Sequence, residues 1–144
     1  MPSFFEEATL IALLYFHNEN SDGSMNLSNL DRSTIRSVIE LQLQAFQRDD
    51  AEAAFEFASP NIQSMFGTAE KFIEMVRLSY PPVYRPRSVL FEQLTELQGM
   101  PAQPVLLLSE SGVPVRALYL MEQQNDRQWK INGCYLVPVE ERRV

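Results

Sequence analysis

An α+β domain, with three helices packed on one face of a four-stranded, mainly antiparallel sheet, is the fold class this sequence predicts. Three observations predict it. Apolar residues recur at helical spacing from Ile35 to Val76. From Val83 onward the period changes to two. Tight-turn signals at Ser111-Gly112 and Asn125-Asp126 then divide the second half into hairpins. Helices first and strands afterwards is the order in which helices segregate to one side of an antiparallel sheet.

The first helix is expected to begin near Ser28, with Asp31 three residues later completing a capping box. Its apolar stripe runs through Ile35, Val38, Ile39, Ala45 and Phe46, and Gln42 interrupts it where an aliphatic residue belongs. Asp49 is the expected cap of the second helix, with Glu52 reaching back to it. Ala51, Ala54, Phe55 and Ala58 form that helix's small-residue face, and Ser59-Pro60 stops it. Together, Ile35–Pro60 reads as the wall of a half-barrel able to enclose a pocket. Asn61–Gly67 reads as an irregular or single-turn link. Thr68 caps a third helix over Ala69–Ser79, with Phe72, Met75, Val76 and Ile73 inward.

Tyr80-Pro81-Pro82 ends the third helix, and an extended connector leads into the sheet. The expected strands are Arg87–Leu97, Val105–Glu110, Val115–Gln123 and Gln128–Val137, with a first turn at Gly99-Met100-Pro101. Alternation puts Val115, Ala117, Tyr119 and Met121 on one face of the third strand. It puts Trp129, Ile131 and Tyr135 on one face of the fourth, with Cys134 opposite Trp129.

A chain of 144 residues fits one domain able to bury roughly 70% of its unfolded surface. Its net charge of −7 argues against a nucleic-acid partner, since phosphate binding needs a basic face. The acidity is uneven: residues 1–31 hold five acids and no Lys or Arg, while the rest holds 12 basic and 14 acidic side chains. The single cysteine, Cys134, excludes an internal disulfide and suits a reducing cytoplasm, the expected location. No apolar run approaches the roughly 20 residues needed to span a bilayer, so no membrane association is expected.

Residues 1–27 read as a leader, and 28–144 as the domain. Ala8–Phe16 is apolar, but Glu6-Glu7 precede it instead of a basic region, which disfavours a secretion signal. His17–Ser24 has linker composition. Two readings of the leader stay open. Phe4–Phe16 is an extra helix docking on the body or on a partner, or the segment is an extension ahead of Met25, where a natural start lies.

The motifs Ile39–Phe46 (IELQLQAF), Ala54–Pro60 (AFEFASP), Phe66-Gly67 and Tyr80–Pro86 (YPPVYRP) resemble those of an uncharacterised bacterial domain-of-unknown-function family. That family is similar to the nuclear-transport-factor-2-like (SnoaL-like) proteins, and the resemblance covers about residues 30–140. It implies a cone-shaped half-barrel with a curved sheet. Such folds host isomerases, dehydratases, binding modules and adaptors, so fold alone does not name a reaction. None of the catalytic motifs of those enzymes matches a position here, and no catalytic residue is carried over.

The domain itself contains no histidine, since His17 lies in the leader, and this removes Ser-His-Asp, Cys-His and His-based metal chemistry. No metal and no cofactor is expected. Asp49-Asp50 and the strand pair Glu92 and Glu96 are the acids considered for catalysis. The favoured readings are helix capping for the first pair and solvent-facing positions for the second. Cys134 lacks the basic neighbours that activate a thiolate and reads as a small filler. Pro81-Pro82-Val83-Tyr84 matches a WW-domain ligand motif, but the connector reading is preferred.

The pocket candidates are Gln42, Phe46, Phe55, Tyr84, Tyr119, Trp129 and Tyr135, with Arg85 and Arg87 at the rim. They are aromatic residues with one amide, the composition of an apolar small-ligand site. Gln42 must either bond to the backbone or face a cavity, because a buried amide needs partners. The leading expectation is a non-catalytic domain that binds a small apolar ligand in the cone or forms a homodimer through its sheet. The alternatives are isomerase- or dehydratase-like acid–base chemistry, with a carboxylate and Tyr84, Tyr119 or Tyr135, and a protein-interaction adaptor.

Overall fold

The structure is a computed structural model and describes residues 26–139 together with Leu13 and Tyr15. The expectations for His17, the 17–24 linker, Met25 and most of Ala8–Phe16 lie outside the described residues. Among residues 26–139, five helices precede the strands: α1 (Asn29–Gln47), α2 (Ala51–Glu56), α3 (Pro60–Phe66), α4 (Ala69–Ser79) and α5 (Pro81–Tyr84). The strands are β1 (Ser88–Phe91), β2 (Thr95–Leu97), β3 (Met100–Leu108), β4 (Pro114–Gln123) and β5 (Trp129–Pro138). All pair antiparallel in the order β1-β3-β4-β5, and β2 pairs with the first part of β3. The α+β class predicted from the sequence is the class observed. No helix among the described residues is long and apolar enough to cross a membrane.

The Ser28 hydroxyl accepts from the Asp31 amide at 3.0 Å, and the Asp31 carboxylate accepts from the Ser28 amide, so α1 opens on the expected capping box. Its inward stripe is Ile35, Val38, Ile39, Gln42, Leu43, Ala45 and Phe46. The helix ends in a Schellman motif. The Asp49 amide donates to Phe46 O at 3.0 Å and the Asp50 amide to Ala45 O at 2.9 Å, with Asp49 at φ 55°. Asp49 therefore does not cap α2, contrary to expectation. It occupies the left-handed position that closes α1, and Asp50 is the cap, accepting from the Ala53 amide.

Asn61–Gly67 is not irregular. Ser59 caps α3, Pro60 takes the first position, where a missing N–H costs nothing, and Gly67 (φ 80°) ends it. For the same reason Pro81-Pro82 open a helical turn, α5, and not an extended connector. The expected first strand, Arg87–Leu97, is two strands. Glu92, Gln93 and Leu94 stand opposite only Gln103 and Pro104, and Pro104 has no N–H to extend the ladder. The extra residue reverses alternation, so Phe91 and Leu94 face the helices while Leu97 faces away. The following turn is the two-residue Gln98-Gly99, both at positive φ, and strand pairing resumes at Met100.

A second irregularity lies in β5. Leu120 pairs with Gly133 and Met121 with Ile131, which leaves Asn132 as a bulge. Trp129 and Ile131 thus face the helices, but Tyr135 and Val137 face the other side. Cys134 packs on the helical side with Trp129, not opposite it. The expected common face of Trp129, Ile131 and Tyr135 is corrected by this one residue.

The helical layer is tied to β5 at the bulge. Phe57 O accepts from the Ile131 amide and the Ser59 amide donates to Ile131 O, both at 2.8 Å. The Ser59 hydroxyl, fully buried, donates to Asn132 Oδ1 at 2.7 Å and accepts from the Ile62 amide at 3.3 Å. Two apolar clusters result. The larger lies between helices and sheet, around Ile35, Phe46, Val105 and Tyr119, where burying each large side chain contributes roughly 1.5–3 kcal/mol. The smaller lies on the outer sheet face.

Ser59→Ala removes a helix cap and the bulge's partner together. The expected loss is roughly 1–3 kcal/mol of unfolding free energy, measured by urea titration of Trp129 fluorescence. A loss below ~0.5 kcal/mol would show that the clasp does not hold the layers together.

Candidate functional site

α2 is a single turn and a half of helix, and its last carbonyls have no partners within the helix. Neighbouring side chains meet them one by one. Gln42 Nε2 donates to Ala54 O at 3.0 Å, Gln63 Nε2 to Phe55 O at 2.9 Å, and Lys130 Nζ to Glu56 O at 2.6 Å. The interruption in the α1 stripe is thereby explained: Gln42 is buried so that its amide can hold α2 against α1. That bond uses the nitrogen only. Oε1 makes no hydrogen bond, and Gln42 lines a cavity.

The cavity, about 260 Å³, lies between the helices and the sheet and reaches past its inner face, since Met100, Leu120 and Tyr135 of the outer cluster also line it. Gln42 and Phe46 of α1, Phe72 and Val76 of α4, Tyr119 of β4 and Cys134 of β5 form its walls. Its mouth is marked by the exposed lining residues Asn61, Met65 and Gln98. No Asp, Glu, Lys, Arg or His is among the described lining residues. The volume lies just below the ~300–1,000 Å³ usual for drug-sized ligands.

Tyr119 is fully buried, and among the described residues its hydroxyl meets no nitrogen or oxygen partner. Its polar neighbour is Cys134, directly across the β4–β5 ladder and on the same face because of the bulge. Burial pushes the Cys134 thiol up to about 12, although its contact with the Tyr119 hydroxyl acts the other way. Burial likewise raises the phenols of Tyr80 and Tyr119 far above their ordinary range. All three groups stay protonated at ordinary pH, so the cavity is uncharged.

Of the residues singled out in the sequence, the structure brings Gln42, Phe46, Tyr119 and Tyr135 to this cavity. Phe55 does not reach it and instead packs on Phe72, ring centroids 5.4 Å apart. Trp129 is turned toward α1, where its Nε1 donates to Asp31 at 3.2 Å. Tyr84 lies outside the cavity and donates its hydroxyl to Asp49. Arg85 donates to Phe46 O, Tyr84 O and Asp49, fastening α5 to the end of α1. Arg87 is exposed and does not line the cavity either. Glu92 is half-buried and bonded to Arg116 at 2.5 and 3.0 Å, so its carboxylate is engaged on the outer sheet face and does not face open solvent. Sequence reasoning missed Asn61, Ile62 and Met65, because α3 read as a link, and Gln98, because the hairpin turn was placed to begin one residue late. The Ser59-Pro60 pair, an N-cap followed by proline, was the available signal for α3.

Helices stacked on an antiparallel sheet make this an α+β domain, with a neutral, mainly apolar cavity among its described residues. The profile of the domain-of-unknown-function family DUF4864 matches residues 28–144, and the chain belongs to that family. A solved structure from Burkholderia xenovorans LB400, described as an NTF-2 like protein of unknown function, is similar at 17% identity and a TM-score of 0.48. The match covers 78% of this chain and 89% of that one. Comparison with curated proteins gives no match.

Two expectations follow from the electrostatics. Native Cys134 should react with iodoacetamide at pH 8 roughly 30-fold or more slowly than in denaturant, by intact mass. The loss of thiolate from a rise to about 12 outweighs the gain in nucleophilicity. Equal rates would place the thiol in water. The second concerns acid stability. The Tyr84 hydroxyl, and then Arg85, hold the Asp49 carboxyl below its ordinary 3.8, and hydrogen bonds from Ser28 do the same for Asp31. A carboxyl lowered on folding contributes stability above its unfolded value and loses it as pH falls through the folded one. Urea stability should therefore decline below about pH 4, less steeply in Asp49→Asn, and identical pH profiles would refute the role of Asp49.

Proposed function

We propose that the domain binds a small, uncharged, mainly apolar molecule in the cavity, with the Tyr119 hydroxyl and Gln42 Oε1 as its polar contacts, and carries out no chemistry on it. The observation that carries this reading is the Tyr119 hydroxyl. A buried hydroxyl with only the weak Cys134 thiol beside it is under-satisfied, at a cost of up to roughly 1–3 kcal/mol, and a ligand that bonds to it offsets that cost. The preference for a neutral ligand rests on the walls, which offer no counter-charge to a desolvated ion. A ligand with one hydroxyl, carbonyl or amide on an apolar frame fits the groups available. Isomerase- or dehydratase-like chemistry needs a carboxylate facing the cavity. The hydrogen-bonded carboxylate–tyrosine pair Asp49 and Tyr84 is outside it and engaged with Arg85.

Native mass spectrometry and thermal-shift measurements with small phenols, aliphatic alcohols and amides, against carboxylates of the same frame, test this. Neutral compounds should raise the Tm and the carboxylates should not. Tyr119→Phe is the sharper test, since it keeps the ring and removes only the hydroxyl. The free protein should keep its stability or gain up to ~1 kcal/mol, while affinity for a bound compound falls roughly 5- to 30-fold. A Tyr119→Phe protein that is less stable and binds equally well would show that the hydroxyl is already satisfied, and would end this reading.

A further inference from the structure

The outer face of the sheet carries Leu97, Ala102, Leu118, Leu120, Tyr135 and Val137, and none is more than 8% exposed. They lie on the side away from the helices, where a sheet with one helical layer ordinarily meets water. Among the described residues, Tyr15 and Met100 pack against them, and Met100 belongs to the sheet itself. Tyr15 is helical and half-buried there, with the Arg116 guanidinium 6.0 Å from its ring centroid, at the limit of a cation–π contact. Leu13 is also helical, lies about 200° around such a helix from Tyr15, and is 62% exposed. Tyr15 therefore meets the sheet and Leu13 meets water.

The sequence repeats that asymmetry. Phe4, Ala8, Ile11 and Tyr15 follow one another at intervals of four, three and four, the spacing of a single helical face. Glu6 falls seven residues before Leu13, on the opposite side of the same spacing. The other end of the chain, Glu-Glu-Arg-Arg-Val at 140–144, is too charged to cover an apolar face.

We propose that Tyr15 and the segment that carries it form an intramolecular cover for the outer sheet face. The cover lies ahead of the family domain, which begins at residue 28, so it is an addition to that domain and not part of it. It occupies the surface through which a second copy would otherwise associate. The inference rests on Tyr15, which does not line the cavity, although Met100, Leu120 and Tyr135 belong to both the outer cluster and the cavity wall.

The full-length chain tests it through paired substitutions. Tyr15→Asp places a charge against the face, and Leu13→Asp places the same charge on the exposed side of the same segment. Tyr15→Asp should raise 1-anilinonaphthalene-8-sulfonate fluorescence several-fold and produce concentration-dependent association in light scattering, with the far-UV circular dichroism retained. Leu13→Asp should match the unsubstituted protein in both. If Tyr15→Asp unfolds the chain, Tyr15→Ser should give the same pattern at reduced amplitude. Equal behaviour of the substitutions at 13 and 15 would overturn the proposal. So would a wild-type dimer that Leu118→Asp dissociates and Tyr15→Asp leaves intact, since the cover would then be a second copy.

Discussion

The hydrogen bond from the buried Ser59 hydroxyl to Asn132 is the contact on which most of the architecture depends. It joins the end of the α1–α2 corner to a bulge in the last strand, 73 residues later in the chain. The same serine caps α3, and its amide with the Phe57 carbonyl adds two backbone bonds to Ile131. Each buried bond is modest in net terms, roughly 1 kcal/mol, but leaving either partner unsatisfied there costs more. The bulge they hold has a larger consequence. It turns β5 over, so that Cys134 comes to the inner face beside Tyr119 and Tyr135 goes to the outer one.

The same accounting of backbone groups explains the cavity. A six-residue helix such as α2 cannot satisfy its own carbonyls, and Gln42, Gln63 and Lys130 do it instead. Placing an amide in an apolar stripe stabilises the α1–α2 contact and leaves an unused oxygen on the cavity wall. Structural need and a candidate binding group thus arise from one residue. Tyr119 is the opposite case, because only a weak contact with the Cys134 thiol accounts for its hydroxyl.

Charge is kept to the periphery. Asp49, Tyr84 and Arg85 form a polar lock where α1 ends and α5 begins, and Glu92 with Arg116 forms another on the outer sheet face. The interior groups that could ionise, Tyr80, Tyr119 and Cys134, are held neutral mainly by burial. Such an interior selects against ions and does little to distinguish one neutral compound from another by charge, leaving shape and a pair of hydrogen-bonding groups to decide what fits.

Local pattern was enough for the α+β class, the capping box at Ser28, the third predicted helix over Ala69–Ser79 and the inward set on β4, because helical period, caps and strict alternation are written within a few neighbouring residues. The resemblance in motifs such as Ala54–Pro60 likewise pointed to the family. Position within the tertiary structure decided the rest. Single-residue insertions opposite Gln103-Pro104 and at Asn132 reverse which side chains face inward, and the sequence on one strand does not reveal the register of its partner. Asp49 and Arg85 became a structural lock only when α5 was set against the end of α1. Gln42 stood out in the sequence as an anomaly, but the orphan carbonyl that it satisfies and the cavity that it faces exist only once α2 and the sheet are in place, since both are made by residues remote in the chain.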